Sequence, residues 1–301
     1  MDLSFLKARV YSILTAKRVT ILNKHYRETK AVIDDITVEN NRGGKRKCAI
    51  FVMVQNEKIF LPIWLKYYTK FFDGDDIFVF DHRSTDGSVE ECAGSYKFRT
   101  IRLDYPYSFD HKWFQFVAEY THDKLLEFYE YVIFTDIDEI LFANHEKYKG
   151  LDDYINRLKE DNVSCVGYEL IHIKDKEEIF DIEKPVLAQR KYWYRTIWYD
   201  KTLIGNTPLK WVIGFHRVSR KSPPQDKDLL LIHLHKLDFD MCWNKSLERS
   251  KLPWNKVEIK SKRGFQNRIT DFEEFKEYYY NWPPQIEITE IPEDIRQTAL
   301  F

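Results

Sequence analysis

The chain has 301 residues, of which 44% are hydrophobic and 16% aromatic, enough to bury a core of one large domain or two small ones. Charged residues make up 32% and the formal net charge is −1, so no global field points to a nucleic-acid partner. Cys48, Cys92, Cys165 and Cys242 are widely spaced with no CxxC pair, which excludes a zinc ribbon or a disulfide scaffold and reads as reduced thiols.

Local charge is less even at the start. The first thirty residues carry Lys7, Arg9, Lys17, Arg18, Lys24, Arg27 and Lys30 against Asp2 and Glu28. Leu3, Leu6, Val10, Ile13 and Leu14 fall at helical spacing. The plain reading is a helix packed on the body. The sharper one is a basic amphipathic segment in peripheral contact with an anionic membrane surface. No apolar run approaches the ~20 residues that span a bilayer, and no signal-peptide pattern is present, so the expected compartment is the cytoplasm. Asn40 to Lys45 reads as a turn and a boundary.

Beyond it the pattern alternates. Cys48–Val54 reads as a buried strand, and a helix follows through Trp64, Leu65, Tyr68 and Phe71. A turn at Asp73–Asp76 leads to a strand at Ile77–Phe80, then the polar loop Asp81–Ser88 and a helix from Val89. Phe98–Leu103 is a third strand, residues 111–130 carry a helical repeat, and Tyr131–Thr135 is a strand running into Asp136-Ile137-Asp138-Glu139. Val163–Ile173, Pro185–Gln189 and Leu229–His235 read as further strands, and the chain beyond 240 as charged helices. Strand–helix alternation predicts a mostly parallel α/β sheet with helices on its faces. Ligands of such sheets bind at the C-terminal edge of the strands, where Gln55, Asn56, Glu57, Asp81 and Asp136 all fall.

In an extended chain Asp136 and Asp138 point the same way, and two partly buried carboxylates repel unless a cation lies between them. Mn²⁺ or Mg²⁺ meets that need, bridging carboxylates to substrate phosphates and stabilising charge on a departing diphosphate. The bland alternative is a solvated acidic turn. Asp81, ending a strand, is expected to accept hydrogen bonds from a nucleoside, whereas Ser84 and Asp86 serve equally well as helix caps. His216, His233 and His235 are candidate third ligands, the last two sharing one strand face.

The residues Phe51 to Glu57 with Trp64-Leu65-Lys66-Tyr67-Tyr68, the loop Asp81 to Ser88 and the segment YVIFTDIDEIL (Tyr131–Leu141) resemble family 2-like GT-A glycosyltransferases. The branch is the one with an Asn-Glu pair after the first strand and a D-x-D-E segment. The resemblance covers roughly residues 48–145, with a fainter echo in Lys201–Arg217 and Leu231–Asp238. It implies a GT-A-like, Rossmann-like fold at 46–240, with a basic helical extension at 1–45 and a helical tail at 241–301. It further implies a metal-dependent, inverting transfer from a nucleotide-sugar donor to a glycan or other hydroxyl acceptor, in the synthesis of surface glycans or polysaccharides. Gln55, Glu57, Asp81 and Asp136 would then bind the donor, and Asp136, Asp138 and His216 the metal, with His233 or His235 as alternatives to His216. Glu169 is the candidate base, with Asp175 and Asp200 behind it. The competing readings are a metal-dependent nucleotidyltransferase or phosphoesterase and a non-catalytic nucleotide-sugar-binding protein.

Overall fold

The computed structural model describes residues 24–39, 44–219, 222–284 and 286–298. The amphipathic pattern at residues 1–16 lies outside them.

Strand β1 (Arg46–Val54) is almost continuously apolar because both of its faces are covered. Its side chains alternate between two cores. Ala49 and Phe51 enter one, while Cys48, Ile50, Val52 and Val54 enter the other. On one face, helix α2 (Phe60–Tyr68) brings Leu61, Trp64 and Tyr68 against Ile50 and Val52. On the other, α1 (residues 24–34) and α4 (His111–Leu125) bring Ile33, Trp113 and Val117 against Phe51 and Phe80. Asp110 starts α4 as its N-cap, its carboxylate accepting from the amides of Lys112 and Trp113.

β1 pairs in parallel with β2 (Ile77–Asp81) and β4 (Tyr129–Thr135), and β2 pairs in parallel with β3 (Arg99–Arg102). The loop Asp81–Ser88 leads into the short helix α3 (Ser88–Ala93). The parallel alternation expected of the first half is therefore present.

The second half differs. β5 (Glu139–Ala143) follows β4 after a tight turn and pairs antiparallel with β9 (Gln225–Lys236), which lies parallel to β6 (Asn162–Ile171). β7 (Tyr192–Arg195) and β8 (Thr202–Gly205) join β6 antiparallel, and β8 also pairs antiparallel with β4. The connections from β4 to β5 and from β7 to β8 are too short for the helical crossover that parallel neighbours need. The result is a mixed, ten-stranded α/β sheet.

Two further features depart from the sequence reading. Pro185–Gln189 is not a strand but leads into one helical turn, α6 (Val186–Gln189). The Gln189 side chain closes it, bonding to Asp181, Lys184 and Pro185. Residues 241–301 are not only helical, since β10 (Ile288–Glu290) pairs with β7 and extends the sheet. The helices α7 (Phe239–Ser250) and α9 (Phe272–Asn281) make a third core of Phe239, Phe275 and Tyr279 against Ile171 and Tyr194.

α2 also braces the turn that follows β4. The Trp64 indole donates to the Thr135 hydroxyl at 2.8 Å, the Tyr67 hydroxyl to the Leu141 carbonyl at 2.7 Å, and the Tyr68 hydroxyl accepts from the Leu141 amide at 2.9 Å. Opposite them, a short turn at Ile197–Tyr199 lies directly on β6 at Gly167, where a Cβ would sit 2.4 Å from the Tyr199 backbone carbonyl carbon. Gly167→Ala must push that turn away, and a loss of about 1–3 kcal/mol is expected in urea denaturation. A loss under about 0.5 kcal/mol would show that the turn does not depend on this approach.

Candidate functional site

The parallel pairing sends the C-terminal ends of β1, β2 and β4 to one edge of the sheet. A cavity of about 340 Å³ opens there. Gln55, Asn56 and Glu57 line it from β1, His82 from β2, and Asp136 to Asp138 from the turn between β4 and β5. Tyr199, Lys201, His216, His233 and His235 line it from the second half of the sheet. Lys245, Arg249, Asn267 and Tyr278 complete the wall from beyond residue 240. A larger hollow of about 440 Å³ beside α2 and α3 is lined by lysines and glutamates such as Lys58, Lys66, Lys184, Glu91 and Glu183, away from the strand ends.

The two aspartates of the turn take different partners. Lys201, only 2% exposed, places Nζ 2.9 Å from Asp136 Oδ2 and 2.5 Å from Glu139 Oε1. Burial alone would pull the lysine's pKa down, but Asp136 and Glu139 outweigh it and hold Lys201 charged, above its ordinary value. For Glu139, wholly buried, burial dominates and pushes its pKa up despite Lys201. The Asp136 amide donates to Glu139 Oε2 at 3.0 Å, which tightens the turn. The expected cation between carboxylates is thus present as an ammonium, and it serves Asp136 and Glu139 rather than Asp136 and Asp138.

Asp138 faces two imidazoles instead. Its carboxylate oxygens lie 3.5 Å from His233 Nε2 and 3.6 Å from His235 Nδ1. Burial opposes ionisation of Asp138, yet His233 and His235 overcome it and hold its pKa well below the carboxylate range. His233 Nδ1 donates to Glu169 Oε2 at 2.8 Å, because β6 and β9 pair with Glu169 opposite His233. Burial works against a charged His233, but Glu169 and Asp138 win and raise it well above the usual histidine value. His235 goes the other way, lowered by burial. One imidazolium therefore sits between two carboxylates, and a neutral ring stacks beside it at 5.7 Å.

The remaining predicted residues are placed as follows. Glu169 does not line the cavity; its other oxygen accepts from the Lys236 amide at 3.3 Å. Asp81 is fully buried, accepting from the Ser84 amide at 2.9 Å and paired with Arg102, and it too is outside the cavity lining. Asp86 lies just before α3, whose N-cap is Gly87, and accepts from the Ser88 amide and hydroxyl. Ser84 accepts from the Asn56 amide at 3.1 Å. Gln55 donates to the His82 carbonyl at 2.9 Å, and Glu57 pairs with Lys245 and Arg249. His216 donates from Nδ1 to the Trp198 carbonyl at 2.8 Å, which leaves the lone pair on Nε2. Burial, with the Lys201 charge second, lowers His216 to about 4.

Asp136, Asp138 and His216 all line the cavity, but the structure does not assemble them. Among the described residues no three His, Cys, Asp or Glu side chains come together to hold a metal. A magnesium-like ion that shares its shell with a diphosphate and water needs only one or two carboxylates. Asp138 fits that role, being a buried carboxylate on the cavity wall with no nitrogen closer than 3.5 Å among its ion-pair partners. Arg249, Asn267 and Tyr278 went unnoticed in the sequence because they come from the region read as a tail. The only signal there was the four-residue spacing of Lys245 and Arg249 on one helix face.

Two outcomes follow. Lys201→Met leaves the buried Glu139 carboxylate without its cation and is expected to cost about 3–5 kcal/mol in chemical denaturation, with Lys201→Arg milder. His233 has a raised folded pKa, so its protonation stabilises the fold fully below the unfolded value of about 6.5 and less as pH rises through the folded value. The stability advantage of wild type over His233→Gln should then shrink above pH ~6.5, by up to about 1.4 kcal/mol per pH unit. A constant difference between pH ~6 and ~8 would show that His233 is neutral in the fold.

No protein-family model matches the sequence, and no curated protein matches it. Among solved structures, similarity is found to the mannosyltransferase PcManGT from Pyrobaculum calidifontis in complex with GDP-Man and Mn²⁺. It extends over 80% of this chain and 76% of that one, at 12% identity and a TM-score of 0.36. Core-mannan synthase A from Aspergillus fumigatus, in its Mn/GDP form, is similar over 46% of this chain and 44% of that one, at 10% identity and a TM-score of 0.22. Likenesses this distant do not carry either protein's ligands over to this chain.

Proposed function

We propose that the chain is a glycosyltransferase that moves a sugar from a nucleotide-sugar donor to an acceptor hydroxyl, with Mn²⁺ or Mg²⁺ held at Asp138. The observation that supports this best is the placement of the Asp136–Asp138 turn. It leaves the C-terminal end of a parallel strand, on the edge where α/β sheets bind ligands, in a cavity of a size suited to small molecules. In this reading Gln55 and Asn56 contact the nucleoside and Asp138 the diphosphate side. A divalent ion bound at Asp138 supplies Lewis-acid stabilisation of the departing diphosphate.

The proposed course is direct displacement with inversion. The acceptor oxygen bonds to the anomeric carbon as the sugar–phosphate bond breaks, and the electron pair leaves on the nucleoside diphosphate. The acceptor proton passes to a carboxylate or imidazole of the cavity wall. Glu169 acts in this reading by holding His233 charged and oriented against Asp138. Trp198, exposed beside His216, offers a face on which an acceptor sugar can stack.

The test is turnover of a panel of GDP- and UDP-sugars with Mn²⁺. Release of nucleoside diphosphate is expected from wild type, with a loss of roughly a hundredfold or more in Asp138→Ala and Asp138→Asn. No turnover and no thermal shift of wild type with any donor would end the transferase reading. Phosphate release from simple monoesters would favour a phosphoesterase, and donor binding without turnover would favour a non-catalytic binding protein.

A further inference from the structure

Glu57 follows β1 and is nearly buried, yet it carries two cations from a distant part of the chain. Lys245 and Arg249, one turn apart on α7, both reach its carboxylate, Arg249 at 3.1 Å. All three line the cavity. Two cations of α7 thus line the same cavity as the carboxylates Glu57, Glu248, Asp136 and Asp138.

The two cations are held differently. Arg249 is tied at two points, Nη2 on Glu57 and Nη1 on Asn267 Oδ1 at 2.6 Å. Among the described residues Lys245 donates to Glu57, while its ammonium lies 4.3 Å from the centre of the Phe60 ring. An ammonium has three N–H groups, so Lys245 retains donors for an anion. It also lies near enough to Asp138 to feel that carboxylate's charge. Burial and the Arg249 charge both lower its pKa, opposed by Glu57, so an incoming anion would relieve a strained charge.

Resting on the transferase reading above, we propose that Lys245 hydrogen-bonds the β-phosphate of the donor diphosphate, and that Glu57 and Arg249 are positioning residues that hold its ammonium over the cavity. Asp138 and Lys245 then approach the same diphosphate from two walls, one through a cation and the other directly.

The experiment compares GDP, UDP, GMP and UMP binding to the full chain by calorimetry with Mn²⁺ present. Lys245→Met is expected to weaken the nucleoside diphosphate that wild type binds by roughly ten- to a hundredfold, while the matching monophosphate changes by less than about twofold. Lys245→Arg should restore most of the loss. Glu57→Gln should lower diphosphate but not monophosphate affinity, a split that a merely structural role does not produce. Unchanged diphosphate affinity in Lys245→Met, or equal loss of both nucleotides, overturns the Lys245 assignment and leaves the transferase reading standing. Wild type that binds neither GDP nor UDP overturns both.

Discussion

The site is organised by the buried ammonium of Lys201. Two carboxylates within three residues of each other, at the end of an apolar strand, cannot both be ionised without a counter-charge. Lys201 supplies it from just before β8, the strand that pairs with β4 itself, so the charge arrives with the sheet that needs it. Such a buried group adds little net stability compared with a well-packed apolar core. Its effect is selective: it draws Asp136 aside and leaves Asp138 as the acid of the turn that faces histidines and the cavity.

Charge is then distributed in a consistent way across the cavity. On the strand-turn side two carboxylates share Lys201, and two more, Asp138 and Glu169, share the imidazolium of His233. Glu57 pairs with Lys245 and Arg249, and Glu248 of the same helix also lines the cavity. A cavity that offers both carboxylates and cations suits a ligand pair of opposite charges, a divalent cation with a diphosphate, better than either alone. His216 and His235, both shifted towards neutrality, add polar atoms without changing that balance.

Much of this was legible from local pattern. The apolar runs around Phe51, Val79 and Ile133, separated by helical repeats, announced parallel strands, and the polar residues at their ends marked the edge where the cavity lies. The alternation of His233 and His235 with Ile232 and Leu234 correctly put both rings on one face. What local pattern could not show was pairing across the chain. Asp136 and Asp138 look like partners at two-residue spacing, yet a turn at Ile137 separates them, and the groups that divide them, Lys201 and His233, lie more than sixty residues away. Asp81 ends its strand as expected, but Arg102 on the neighbouring strand claims its carboxylate.

The last stretch of chain shows the same limit most clearly. Read by itself, 241–301 is charged and helical, with nothing to tie it to a site beginning at residue 46. In the fold it donates β10 to the sheet and the cations that neutralise Glu57. Glu57 stands where β1 delivers it, buried at the mouth of the cavity, and a buried carboxylate without a partner is costly. A unit ending at 240 would therefore carry an unpaired charge in its own binding wall. The domain that makes chemical sense runs on through α7 and α9, because the cations that pair with Glu57 stand on α7 and Tyr278 of α9 lines the same cavity.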